Sequence, residues 1–247
     1  MPLYEQNTGI LVDLYRRMIA SQGLDMFVMP YMGDELIEDT YFDGNILRVK
    51  CNDRNVMEKH KLLFEFIKNN TDADAVIKTN TNVVLDLMFF KNVTDEGEFN
   101  EDVFYTAMFM KYPHSQYPLT DYPNGNFYFF SRKCLETLVD LYEEGYQGMR
   151  RIYPENLPRE QYQWGGIPED LIVGYILGSY NIPIGLISNV SFIFDYMFYG
   201  KHIAINSPLF ITRAIIPFEE RAKIEPNVTE LITKIIESRY QTTNGAQ

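Results

Sequence analysis

Basic residues and cysteines are scarce in this 247-residue chain. Lysine and arginine total 22 against 34 acidic residues, which gives a net charge of −12. A surface of this sign repels nucleic acids and anionic membranes, so both are excluded as bulk partners, although local cations could still hold a small anion. The only cysteines, Cys51 and Cys134, lie far apart in the sequence. They form neither a disulfide framework nor a metal-binding spacing, and only a single bridge between them stays open.

Long hydrophobic runs are also missing. No stretch approaches the roughly 18 apolar residues that a membrane span requires. The N-terminal sequence lacks the basic-then-apolar pattern of a signal peptide. We therefore expect a cytoplasmic protein without a membrane segment, or a lumenal one if the chain is a truncated fragment. The sequence motifs of serine hydrolases, P-loop NTPases and zinc enzymes are absent as well.

Hydrophobic residues make up 46% of the chain, enough for one large domain or two small ones. Helical and extended patterns alternate along it. Helices are predicted at residues 10–21, 56–68, 83–90, 135–144, 170–180 and 225–240. Strands are predicted at residues 25–30, 45–50, 75–78, 103–110, 127–130, 182–187 and 203–205. This alternation predicts an α/β domain with a mainly parallel sheet and a ligand site at the carboxyl ends of its strands.

A polar run, Asn80, Thr81 and Asn82, follows the predicted strand at residues 75–78. Asparagine and threonine are good helix N-caps, so the run could simply cap a helix that starts near Val83. It could also help to bind an anion, because the free N–H groups at a helix start suit a diphosphate. The two interpretations are compatible.

Four segments, in order, resemble the motifs of one enzyme family. Asn55–Lys59 resembles N-L-T-L-K, and V-I-K-T-N-T-N-V-V-L, residues 76–85, resembles V-L-K-T-D-D-D-V-F-V. Tyr122–Leu138 resembles Y-P-x-x-x-S-G-x-G-Y-x-L-S-R-D, and P-E-D-L-I-V-G-Y-I-L, residues 168–177, resembles x-E-D-V-x-V-G. These motifs belong to the β1,3-galactosyltransferase and Fringe-type glycosyltransferases, which are inverting enzymes with a GT-A fold.

The resemblance covers residues 25–206 and carries expectations about the fold. It implies one GT-A domain over residues 1–247, with a Rossmann-like, mixed and mainly parallel sheet flanked by helices. The family's first strand should precede the helix at residues 10–21. Only a few residues lie before that helix here, so we expect the first strand to be absent or rebuilt.

In the family, an acidic motif holds a divalent cation that bridges the phosphates of a UDP-sugar and stabilises the leaving diphosphate. The corresponding positions here are Asn80, Asn82 and Asn206. Amide oxygens are weaker ligands than carboxylates for Mn²⁺ or Mg²⁺, so we expect metal-independent binding, or weak metal binding together with the donor. The side chains predicted to meet the phosphate charge instead are Lys78, Lys201 and His202.

The resemblance assigns the catalytic base to Asp170, with Glu169 in a supporting role. An inverting transfer needs a base that takes the proton from the attacking hydroxyl. The sequence Pro168-Glu169-Asp170 is also an ordinary helix start, because proline and acidic residues are favoured there. Both interpretations stay open at this point.

The same resemblance places a pocket for sugar and acceptor along two loops. Gly125 would let the backbone approach a ligand closely, and Trp164 would either stack on a sugar or fill the core. The predicted pocket residues are Tyr122, Asn124, Gly125, Asn126, Trp164 and Gly165. His60 and His114 are expected to carry no specific chemistry, with His60 on a helix surface.

The sequence therefore predicts an inverting hexosyltransferase of glycan biosynthesis, with a nucleotide sugar as donor, UDP as the expected nucleotide, and a sugar hydroxyl as acceptor. Its partners would be the donor and the glycan acceptor. Two alternatives stay open. One is a catalytically silent sugar- or nucleotide-binding module, and the other is one domain of a larger multifunctional glycosyltransferase.

Overall fold

A computed structural model describes residues 2–52, 55–81, 83–111, 121–152, 167–187, 191–193, 209–212, 227 and 229–238. These residues form helices and mixed sheets, which confirms the predicted α/β class. The chain divides into two compact units. The first unit contains Met1–Val28, Thr79–Phe99 and Ser188–Gln247, and the second contains Met29–Lys78 and Asn100–Ile187. The single glycosyltransferase-like domain and its GT-A topology stay predictions.

The helices are α1 (Pro2–Gln22), α2 (Val56–Asn70), α3 (Leu87–Asp95), α4 (Arg132–Ile152), α5 (Glu169–Ser179) and α6 (residues 229–238). The strands are β1 (Tyr31–Gly33), β2 (Tyr41–Phe42), β3 (Leu47–Val49), β4 (Ala75–Thr79), β5 (Val83–Leu85), β6 (Phe104–Thr106), β7 (Phe109–Lys111), β8 (Asp121–Pro123), β9 (Phe127–Ser131), β10 (Ile184–Leu186), β11 (Ser191–Ile193) and β12 (Leu209–Thr212).

Most of the predicted elements are present, and three predictions need correction. Residues 83–90 do not form one helix, because Val83–Leu85 is a strand and the helix begins only at Leu87, where the Asp86 side chain caps it. Residues 25–30 are not a strand, since β1 begins just after them. The predicted strand at 103–110 is two strands, β6 and β7. The predicted strand at 203–205 lies outside the described residues.

The second unit contains a four-stranded sheet in the order β10-β6-β9-β4 and two small sheets, β1-β3-β2 and β7-β8. Strand β6 is parallel to β10 and antiparallel to β9. The first unit contains the sheet β11-β12-β5, in which β12 is parallel to β11 and antiparallel to β5. Both directions occur in the described strand pairs, so the sheets are mixed, and the predicted predominance of parallel pairing is not seen there.

The core of the second unit is built on strand β9, all five residues of which are buried. Tyr128 and Phe130 lie on one face of this strand and pack on Phe104, and their ring centroids are 4.9 and 5.1 Å from the centroid of the Phe104 ring. Helices α2, α4 and α5 complete this core. Glycine lets α4 and α5 approach closely, because a Cβ atom on Gly148 would lie 2.3 Å from the Tyr175 ring.

In the first unit, Tyr15 links helix α1 to strand β5. Its buried hydroxyl group donates to the Val83 carbonyl at 3.3 Å and accepts from the Leu85 N–H at 3.1 Å, and burial raises its pKa. In the second unit, Cys51 and Cys134 are both buried and form no disulfide, so the bridge left open by the sequence is not formed. Within the described ranges, no helix combines the length and hydrophobicity that a membrane crossing needs.

Candidate functional site

Lys78 places a buried ammonium group in the core of the second unit. Strand β4 alternates its side chains, so Lys78 faces the same side as the buried Val76, and only 2% of its side chain is exposed. Its Nζ atom donates to the Gly125 carbonyl and lies 3.5 Å from Glu169 Oε1. It also lies 5.0 Å from the centroid of the Tyr128 ring, within the range of a cation–π contact. All three neighbours attract a positive charge.

Glu169 and Asp170 occupy the first turn of α5, which begins directly after Pro168. Glu169 is buried, whereas Asp170 is half-buried and keeps some access to solvent. The N–H group of Gly125 approaches Asp170 Oδ2 at 3.4 Å. The structure therefore brings together Lys78, Gly125 and the two acids, which the sequence had assigned to three different motifs.

Gly125 lies in the turn between β8 and β9. The Asn124 side chain accepts from the Asn126 N–H at 3.0 Å, and the Asn124 N–H donates to the Met108 carbonyl at 3.0 Å. A Cβ atom on Gly125 would lie 3.1 Å from Glu169 Oε2 and 3.4 Å from Asp170 Cβ. Glycine suits this position because a larger residue would crowd the two acids on which the turn packs. This reason differs from the predicted close approach to a ligand.

The Asp170 carboxyl group has an unusual proton affinity. Burial raises its pKa from the ordinary 3.8 to about 7, and the neighbouring Glu169 charge adds to the rise. The Gly125 N–H and the Lys78 charge act in the opposite direction. Burial also raises the pKa of Glu169, again opposed by Lys78. A partly accessible carboxyl group with a pKa near 7 can exchange a proton at neutral pH.

His60 is buried, so its predicted surface position is wrong. Its Nδ1 lies 2.7 Å from the Val56 carbonyl, which can only accept, so Nδ1 carries the proton. Its Nε2 is 2.8 Å from the Tyr31 hydroxyl group and accepts from it. Burial and the Lys78 charge lower the pKa of His60. The ring is therefore neutral at pH 7, and its 3.8 Å separation from Glu169 Oε2 is not an ion pair.

Two buried polar atoms beside this cluster have no hydrogen-bond partner among the described residues: the Tyr128 hydroxyl oxygen and Glu169 Oε1. Burial raises the pKa of Tyr128, and the charges of Glu169 and Asp170 raise it further. Unsatisfied buried polar groups are uncommon in native proteins and often lie at functional sites. The cluster is thus polar and buried inside an aromatic core, where Glu169 interacts with Lys78 and Tyr128 without ideal hydrogen-bond geometry.

The structure describes only some of the remaining predicted residues. Asn80 and Thr81 form a half-buried turn in the first unit, where the Asn80 carbonyl accepts from the Val83 N–H at 3.1 Å. Because a strand begins at Val83, this turn caps no helix, and the predicted contribution of helix N–H groups to anion binding is wrong. Tyr122 is half-buried in β8. Outside the described residues lie Asn82, Trp164, Gly165, Lys201, His202, Asn206 and His114.

An open groove of about 410 Å³ lies at the other end of α5, beside Leu177 and Gly178. At about 1.5 Å per residue, Gly178 is roughly 12 Å along the helix from Asp170. The groove is therefore separate from the carboxylate cluster, and among the described residues that line it only Asp121 is ionisable. In the part of the chain that the structure describes, no three His, Cys, Asp or Glu side chains form a group that could hold a metal ion.

Comparison with known proteins assigns no family: no protein-family model matches the chain, and no curated protein matches it significantly.

Proposed function

We propose that this protein is an inverting glycosyltransferase that transfers a hexose from a nucleotide sugar, with UDP as the expected nucleotide, to a sugar hydroxyl group. One observation carries the proposal: Asp170, the position that the resemblance assigns to the base, is a half-buried carboxyl group with a pKa near 7. A general base works best when its pKa lies near the working pH, because it is then both ionised and basic.

The ordinary helix-start interpretation of Asp170 makes the opposite prediction. An acid that only serves a helix N-terminus is stabilised as the anion by the dipole and the free N–H groups, so its pKa falls. At Asp170, burial and the adjacent Glu169 outweigh these effects, and the pKa rises. This sign favours a proton-accepting role over a purely structural one.

In the proposed reaction, the acceptor hydroxyl oxygen attacks the anomeric carbon on the face opposite the nucleotide. Asp170 takes the hydroxyl proton as the new carbon–oxygen bond forms, and the bond to the diphosphate breaks with its electron pair leaving on the nucleotide. Gly125 holds Asp170 through its N–H group, while burial and the Glu169 charge keep the pKa of Asp170 high. No metal is required for the proton transfer itself.

The rest of the site follows the resemblance. The sequence run Asn80, Thr81 and Asn82 and the side chains of Lys201 and His202 would meet the diphosphate. The acceptor and sugar pocket would contain Tyr122, Asn124, Asn126, Trp164 and Gly165. With amides at the metal positions, we expect activity without added metal and, at most, a modest increase with Mn²⁺.

The experiment is a transfer assay with UDP-hexoses and a panel of sugar acceptors, in which UDP release and the anomeric configuration of the product are measured. We expect inversion and a rate that rises with pH through a midpoint near 7, the pKa of Asp170. Asp170→Asn should lower the rate by at least about 100-fold, the usual contribution of a general base. The matched control is Asp72→Asn, on an exposed aspartate, which should leave the rate unchanged.

Retained configuration, or an Asp170→Asn variant with the full rate, would contradict the proposal. Thermal shifts with UDP, with and without Mn²⁺, report binding independently of turnover. UDP binding without transfer to any acceptor would instead favour the silent binding module.

A further inference from the structure

We propose that Lys78 is a positioning residue whose buried ammonium group joins the Gly125 carbonyl to the Glu169 carboxylate and so fixes the Asp170 carboxyl group, rather than binding the donor's diphosphate. The sequence had assigned Lys78 to the diphosphate. The catalytic meaning of this inference rests on the proposed function, whereas the positioning itself does not.

The geometry leaves the ammonium group little capacity for a diphosphate. Its Nζ atom donates to the Gly125 carbonyl and lies 3.5 Å from Glu169 Oε1 and 5.0 Å from the centroid of the Tyr128 ring, and the side chain is 2% exposed. A phosphate contact would require these interactions to be broken inside the core, where an unpaired Glu169 carboxylate is costly.

The same contacts connect Lys78 to Asp170 by a short route. Lys78 holds the carbonyl side of Gly125, and the N–H group of that glycine approaches Asp170 Oδ2 at 3.4 Å. Lys78 also pairs with Glu169, which precedes Asp170 in the first turn of α5. A displaced ammonium group would therefore release both the turn and the acid that touch Asp170.

The charge of Lys78 also acts on Asp170, because it opposes the rise in the pKa that burial and Glu169 cause. Glu169 on α5 and Lys78 on β4 act on the pKa of this carboxyl group. The Asp170 charge in turn raises the pKa of Tyr128 on β9 and of Tyr142 on α4. His60 on α2 faces Glu169 and is neutral. Glu169 raises the pKa of Asp170 and Lys78 lowers it, so removal of these two side chains should move that pKa in opposite directions.

The test compares the full-length wild-type chain with Glu169→Gln and with the double variant Lys78→Met/Glu169→Gln. The double variant replaces the buried ion pair with neutral side chains of similar size, which avoids an unpaired buried charge. Carboxyl-carbon NMR, with the Asp170 signal assigned by its loss in Asp170→Asn, measures the titration of this group. Calorimetry measures the affinity for UDP.

We expect the titration midpoint of Asp170 to fall in Glu169→Gln and to rise again when Lys78→Met is added. UDP affinity should be the same in both variants. If Lys78 contacted the diphosphate, Lys78→Met would weaken UDP binding by at least about tenfold, the loss of one charged hydrogen bond. A tenfold loss, or an Asp170 titration that Lys78→Met does not move, would overturn the inference.

The two proposals fail in different ways. If the wild-type chain does not bind UDP, the proposed function fails, while the NMR titration still decides whether Lys78 acts on Asp170. If UDP binds and the titrations of both variants coincide, the positioning role fails and the proposed function stands. Lys133→Met serves as the control, because this exposed lysine pairs with the exposed Asp102 and should change neither measurement.

Discussion

Replacing Asp170 with asparagine should stabilise the protein at neutral and alkaline pH while it removes the proposed base. Asparagine has nearly the same shape, and its amide oxygen can accept from the Gly125 N–H group as the carboxylate does. It cannot ionise, however. The wild-type chain must hold a negative charge in a site that raises the pKa of this group to about 7, and the variant does not carry that cost.

The magnitude follows from the two pKa values. In the unfolded chain the carboxyl group titrates near 3.8, and in the folded protein near 7. Between these values the folded state binds more protons than the unfolded state, so wild-type stability falls as the pH rises through this window. At about 1.4 kcal/mol per pH unit, the difference between the two pKa values lowers the free energy of unfolding by about 1.6 kcal/mol at pH 5 and by about 4 kcal/mol at pH 8. Because Asp170 is only half-buried and water screens part of its charge, we expect this loss to differ between pH 5 and pH 8 by nearer 2 kcal/mol.

Urea unfolding at pH 5 and pH 8 tests this prediction, with wild type, Asp170→Asn and the exposed control Asp72→Asn. The stabilisation by Asp170→Asn should be larger at pH 8 than at pH 5 by about 2 kcal/mol, without a change in the denaturant slope. Asp72→Asn should show no such dependence on pH. An equal effect of Asp170→Asn at both pH values would refute the argument that burial controls the ionisation of this group.

Two further predictions use matched pairs of variants. In the urea assay, Gly125→Ala should destabilise the protein by about 1 kcal/mol or more, because the added Cβ atom would crowd the two acids, and it should also lower any transfer activity. The control Gly9→Ala lies at an exposed helical position with open space around it. It should stabilise the protein by up to about 1 kcal/mol in the same assay. Arg132→Met should cost about 2 kcal/mol, because the Arg132 guanidinium group donates to the carbonyls that end helix α2, including Thr71 at 2.8 Å. The exposed Lys133→Met should cost under about 1 kcal/mol, and equal losses for these two variants would contradict the capping role.

The sequence predicts the elements whose patterns are local. Helix α2 is recognised from its periodic apolar residues and from Asn55, whose side chain accepts from the Glu58 N–H at its start. The segment that begins at Val83 is misread, because its apolar residues fit a helix as well as a strand. The strand is selected by pairing with β12, where Val84 lies opposite Phe210, more than a hundred residues away. Asp86, a good N-cap, was the one local signal that the helix starts later.

The site is predictable in part. The acids of α5 and Gly125 were found through the motifs, and the structure brings them together. The burial of Lys78 was missed, although its position two residues after Val76 in a strand predicts that both face the core. His60 was also missed, although it lies three, four and seven residues before Leu63, Phe64 and Ile67, on the buried side of α2. A single sequence shows that such residues face inwards, but their buried partners come from distant segments.

The sign of the Asp170→Asn effect also discriminates between the two interpretations that the sequence left open. If Asp170 only serves the helix N-terminus, its replacement removes a favourable interaction with the dipole and should destabilise the protein at pH 8 by about 0.3–1 kcal/mol. If the carboxyl group is held ionised against burial and the Glu169 charge, the replacement stabilises the protein at the same pH. A residue that lowers stability in order to keep a proton acceptor near neutral pH is expected of an active site, where function and stability conflict. A destabilised Asp170→Asn variant at pH 8 would therefore remove the main physical support for a catalytic role, whatever the resemblance of the motif.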